Sequence, residues 1–97
     1  MNPVIHKYTV QPSKEVQELR VPHGSKIVSA GFQNGQIVIW VMKFRPDSDH
    51  TLVDTLRYMV VGTGQEIDAK DGYPEFKGTV PAGPFIFHVF EIQDLSF

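Results

Sequence analysis

The sequence predicts a mainly β protein: a small antiparallel β-sandwich or open barrel of about six to seven strands, with little or no helix. Three observations lead there. An Asn34-Gly35 pair sits between two apolar limbs. Segments near residues 55–61 and 85–92 are apolar and strand-sized. Turn-forming clusters recur between such segments, at Pro22-His23-Gly24-Ser25, Arg45-Pro46-Asp47-Ser48-Asp49, Asp71-Gly72-Tyr73-Pro74 and Pro81-Ala82-Gly83-Pro84.

The hairpin is the firmest local element. Asn-Gly accepts the positive φ angles of a type I′ turn, whose twist matches that of paired strands. A two-residue loop sets Gln33 opposite Gln36, Phe32 opposite Ile37, Ala30 opposite Ile39 and Val28 opposite Val41. Those apolar residues then share one face, directed to the core. The other face carries Ser29 and Gly31 on one limb, and Val38, Trp40 and Met42 on the next. The limb 37–42 is therefore apolar on both sides, which predicts a central strand covered on both faces.

Pro84 suits a strand start, since it cannot donate to a ladder. In the strand 85–92, Phe85, Phe87, Val89 and Glu91 alternate with Ile86, His88, Phe90 and Ile92. In 55–61, Leu56, Tyr58 and Val60 oppose Arg57, Met59 and Val61, and Gly62-Thr63-Gly64 ends the strand. Weaker strands are expected at 4–10, 16–21 and 76–80. Only 14–19 has any helical character, and Val21-Pro22 soon ends it. The stretches 47–54 and 65–74 read as the mobile loops.

Composition bounds the function. The 97 residues hold one domain, residues 1–97, and bury roughly 60–70% of the unfolded chain's surface in a modest core. A net charge of −2 supplies no basic excess for general nucleic-acid binding. The absence of cysteine removes disulfides, thiolate metal sites and thiol nucleophiles. Residues 1–10 lack the apolar run of a secretory signal, and the longest apolar run, 37–42, is too short to span a membrane. The expectation is a soluble, cytoplasmic protein.

No catalytic or metal machinery stands out, so the reading is a non-enzyme without cofactor. The four histidines, His6, His23, His50 and His88, show no metal-ligand spacing. Asp47, Asp49 and Asp54 cluster around His50 but lack the glycine and closing glutamate of a calcium loop, so a solvated loop is favoured. Gly62-Thr63-Gly64 could form an anion nest, yet nothing completes a P-loop, and a simple turn explains it. His88 reads either as a partly buried histidine satisfied by neighbouring hydroxyls or backbone, the favoured view, or as a ligand contact. Trp40 faces Ser29 and Gly31, so another layer covers it or it lines a groove; the core reading leads. Arg57 could stack near it. The candidate ligand- or partner-binding residues are Trp40, Arg57, Tyr73, Lys77 and His88.

Lys7-Tyr8, the run Val21-Pro22-His23-Gly24-Ser25-Lys26-Ile27, Gln33-Asn34-Gly35, Ile39-Trp40, Val61-Gly62-Thr63-Gly64, Gly78-Thr79 and His88-Val89-Phe90-Glu91 occur in that order. In this the chain resembles a family of small bacteriophage and prophage proteins known only as a domain of unknown function. The resemblance spans nearly the whole chain. It departs at Gln65, where relatives tend to carry His. It implies a phage accessory protein in the host-cell cytoplasm. By analogy with other small phage β proteins, the expectation is binding without catalysis, antagonising host defence by engaging a host protein or sequestering a small signalling nucleotide. The alternative is a virion structural or assembly component. A small core and a two-sided apolar strand also predict a homo-oligomer, with Leu95 and Phe97 of the last segment docking on a neighbour.

Overall fold

The computed structural model describes residues 2–46 and 52–95, which form seven antiparallel strands and no helix. They are β1 (Val4–Val10), β2 (Ser13–Pro22), β3 (Lys26–Gln33), β4 (Gln36–Lys43), β5 (Val53–Gly62), β6 (Gly72–Ala82) and β7 (Phe85–Asp94). The expected Asp47, Asp49 and His50 cluster and Phe97 lie outside the described residues.

Two sheets face each other, one ordered β1-β4-β3 and the other β2-β5-β7-β6. Their inner faces supply one core. Val10, Ile27, Ile37, Ile39 and Val41 come from the first sheet, and Val21, Leu56, Tyr58, Val60, Val80 and Val89 from the second. Removing this apolar surface from water is the main force holding the layers together.

The Asn34-Gly35 turn has φ angles of 51° and 75°, and the register next to it is as expected: Gln33 with Gln36, Phe32 with Ile37, Ala30 with Ile39. Farther along, a bulge shifts the pairing. Ile27, not Val28, stands opposite Val41. Ile27 is fully buried and Val28 is exposed. The extra residue turns the larger branched side chain inward and leaves local backbone groups in need of partners. Glu91 on β7 meets one of them: its Oε1 accepts from the Ile27 amide at 2.8 Å, and its Oε2 accepts from Gln93 Nε2 at 3.2 Å.

β4 is central, as its two-sided apolarity requires. On its outer face Val38 is buried while Trp40 and Met42 are half-buried, so the expected second cover is partial. β5 and β7 are more fully enclosed. Their outer residues Met59, Val61 and Ile92 form a second cluster with Ala69, which the loop 63–71 lays across them. Within the stretch expected to be mobile, Ala69 is thus buried against the sheet.

The strand expected at 16–21 is found within β2, whose pairing with β5 overrides the weak helical pattern of 14–19. One local expectation changes. Gly72, Tyr73 and Pro74, expected in a turn, begin β6. This strand lies at the edge of its sheet, where a proline's missing amide is tolerated.

The sandwich is closed on one side only. β6 runs against β3, with Gly78 so near that an added Cβ would lie 3.3 Å from Ala30 Cβ. On the other side β1 passes into β2 through Gln11 and Pro12.

Glu91→Ala strands the Ile27 amide in a buried site and is expected to lower unfolding stability by about 1–3 kcal/mol. Glu91→Gln, which keeps an acceptor, is expected to cost less. Urea denaturation of the three proteins measures the difference.

Candidate functional site

The five residues singled out from the sequence do not converge. Trp40 stands on the outer face of the three-stranded sheet, between Lys7 and Ser29, with its ring over Gly31. A Cβ on Gly31 would lie 2.9 Å from the indole, so glycine is the seat of that ring. Arg57 points to the outer side of the other sheet with Met59 and Val61, the side away from the shared core. The core separates it from Trp40, and the expected stacking does not occur. Lys77 sits in the bulge of β6, its Nζ 2.5 Å from Glu75 Oε1. Tyr73 is exposed on the same strand.

His88 is satisfied by hydroxyls. Its Nε2 is 2.7 Å from Thr63 Oγ1 and its Nδ1 is 3.0 Å from Thr79 Oγ1. In the neutral ring one threonine donates and the other accepts. This is the favoured of the two expectations for the residue, and it makes His88 a structural pin that ties the Gly62-Thr63-Gly64 turn to the sheet. The turn's amides are also largely engaged. Gly62 N donates to Gln65 Oε1 at 2.5 Å, Thr63 N to Ile86 O at 3.2 Å and Gln65 N to Gly62 O at 3.1 Å. Little is left for an anion, and Gln65 supplies an acceptor that a histidine ring nitrogen could also offer.

The two ends of the sandwich differ in chemistry. At one end, where β5 and β7 part beyond the Tyr58–Glu91 pair, lies a cleft of about 570 Å³. Arg57 lines it together with Asp54, Asp71, Glu91 and Asp94. Beside it, Asp54 organises the β2–β3 turn: Oδ1 meets His23 Nδ1 at 2.9 Å and Oδ2 accepts from Gly24 N at 2.9 Å. The Gly24 amide first, then His23, holds the Asp54 carboxyl below its usual range. Ser25 lies next to this pair, yet its hydroxyl donates to Pro22 O at 2.6 Å and does not complete a nucleophile–base relay. Among the described residues no group of three His, Cys, Asp or Glu is placed to hold a metal.

The opposite end is aromatic. A hollow of about 240 Å³ is bounded by Phe32, Ile37, Val10, Pro12 and Phe87. A second, of about 290 Å³, is bounded by Phe85, Ile86, Pro84 and the same Phe87. The Phe85 and Phe87 rings lie 6.2 Å apart. Phe85 is 63% exposed, Phe32 42% and Ile86 41%. Three elements assemble this rim: the Asn34-Gly35 hairpin, the Gln11-Pro12 corner and the Gly83-Pro84 turn. Residue order alone does not reveal it, because alternation assigns Phe32, Phe85 and Phe87 to the core face. That face is right for all three, but strand ends extend past the opposing sheet and leave it open.

A family model for a domain of unknown function, DUF7352, matches residues 1–95. The chain belongs to the DUF7352 family. No curated protein and no solved structure matches it. Membership extends across all seven strands, so both ends of the sandwich lie within the family's domain. No helix among the described residues is long and apolar enough to cross a membrane.

The polar contacts have a definite pH signature. The Gly24 amide lowers Asp54; hydrogen bonds from Lys70 and Lys77 lower Asp68 and Glu75. Carboxylates depressed in the folded state stabilise it above their ordinary range and lose that contribution as pH falls below about 4. Unfolding stability is therefore expected to decline on acidification, and Asp54→Asn to shrink the decline. Urea titrations at neutral pH and near about pH 3 provide the comparison.

Proposed function

We propose that this DUF7352 chain is a non-catalytic binding protein that associates stoichiometrically with another protein through its aromatic end. In the phage setting implied by the resemblance, the partner is a host defence protein whose surface it covers. The observation that carries this reading is the continuous rim of Phe32, Phe87, Phe85 and Ile86 around two adjoining hollows. Exposed aromatic clusters of this kind are over-represented where proteins meet, since rigid rings bury much area for little lost freedom.

A nucleotide ligand is less well supported. The 570 Å³ cleft presents four carboxylates against Arg57, a balance that repels phosphate. Lys77, the other cation considered for phosphate, is already paired with Glu75.

Expression beside bacterial defence systems is expected to restore phage plating on at least one of them. Phe85→Asp should abolish the rescue while leaving the unfolding midpoint intact. With the partner purified, Phe85→Ala is expected to weaken binding by about 2 kcal/mol or more. Rescue that survives Phe85→Asp and Phe32→Ser would remove the aromatic end from the mechanism. Finding the protein in purified particles would favour a virion role instead.

A further inference from the structure

The four sheet edges are not equally protected. An edge strand offers a row of unpaired backbone amides and carbonyls, and stable monomers blunt such rows with bulges, prolines, charges or a covering element. β3 and β6 run against each other, and each carries a bulge. β6 also holds Pro74 and Pro81. β2 is interrupted between Ser13 and Gln17 and carries Lys14, Glu15, Glu18 and Arg20.

β1 carries one lysine but neither a bulge nor a proline. All seven residues pair with β4 without a break, from Val4 with Lys43 to Val10 with Ile37. The strand contains no proline, and among the described residues no strand pairs with its other side. Its one lysine, Lys7, does not guard the edge. Its Nζ donates to Gln33 Oε1 at 2.9 Å, which draws the ammonium across the sheet toward β3. Meanwhile Ile5 stands 55% exposed on the outer face. The result is a regular edge with a branched apolar residue on view.

We propose that this edge is a homodimer seam, in which β1 pairs antiparallel with β1 of a second copy and fuses two three-stranded sheets into one of six. Only an extended strand can answer a whole row of backbone groups in register. A strand paired antiparallel with its own copy is closed by a two-fold axis, so the contact ends at two chains and does not propagate. The composition of β1, with Val4, Ile5, Tyr8, Thr9 and Val10, suits the added strand as well as the template. Of the aromatic end only Val10, which bounds the smaller hollow, belongs to β1, whereas Phe85 and Ile86 on β7 lie off the seam, so variants of Phe85 and of Ile5 test the two readings separately.

The chain's lack of cysteine makes the test clean. Sedimentation of the intact protein should give a mass near 22 kDa, twice 11.0 kDa, at micromolar concentration. Ile5→Lys, which restores an outward charge, is expected to weaken association by roughly an order of magnitude. In an antiparallel self-pair the central residue faces its own copy. One of the single variants Ile5→Cys, His6→Cys, Lys7→Cys or Tyr8→Cys should therefore form an interchain disulfide quickly, and Lys14→Cys on β2 should not. Circular dichroism of each variant checks that the fold is kept, and the cysteine series still decides the matter if Ile5→Lys does not fold. A monomer at every accessible concentration would overturn the seam. So would a dimer that none of the β1 cysteines traps, or one broken by Phe85→Asp but not by Ile5→Lys.

Discussion

The contact between Glu91 and the Ile27 amide joins the two sheets at the one place where the hairpin loses its register. A carboxylate in a nearly closed core is tolerable only while its oxygens accept hydrogen bonds. Here Oε1 and Oε2 both do. The bulge that displaces Val28 turns Ile27 inward, and Ile27 is among the residues that fill the space between the layers. Backbone irregularity, buried charge and core packing are thus one arrangement. Altering any of the three leaves a buried amide or a buried carboxylate without its partner, and that asymmetry makes the contact specific.

This arrangement also divides the molecule. Near Glu91 the strands part into a carboxylate-rich cleft, and at the far end aromatic rings stand at the mouth of the sandwich. The difference follows from the chain's own course. The hairpin, the β1–β2 corner and the β6–β7 turn all reverse at the same end, and each contributes apolar residues beyond the reach of the opposing sheet. Charged residues gather where the longer connections enter. The aromatic rim and the carboxylate-rich cleft are separated by the length of the strands, so either can be altered with little effect on the other.

Much of the architecture is legible in the sequence because strand alternation is a strong signal. The inward faces of 55–61 and 85–92 follow from residue order, and the Asn34-Gly35 register is correct up to Ser29. The bulge is not readable, since Ile27 and Val28 are both branched aliphatics and either satisfies the pattern. Tyr73 and Pro74 carry turn chemistry, yet an edge strand accommodates them. The sites are less accessible still. Residue order groups Asp54 with its sequence neighbours, whereas its partner His23 lies 31 positions away, brought near by the β2–β5 ladder. His88 is held by hydroxyls, as its place on the strand suggests. Arg57 and Trp40, expected to stack, lie on outer faces of different sheets. Local pattern reports which way a side chain points within its own sheet, and says little about which sheet it belongs to.

The strand order has a kinetic consequence. The first two strands each find their partner only after a long interval: Val4 joins Lys43, and Pro22 joins Val53. Neither ladder can begin until much of the chain has been made, and bringing such distant segments together carries the loop-closure penalty that slows β topologies. The hairpins β3–β4 and β6–β7 close locally and can form early as separate nuclei. During synthesis β1 would wait unpaired for β4, and β2 for β5, each a template still to be made.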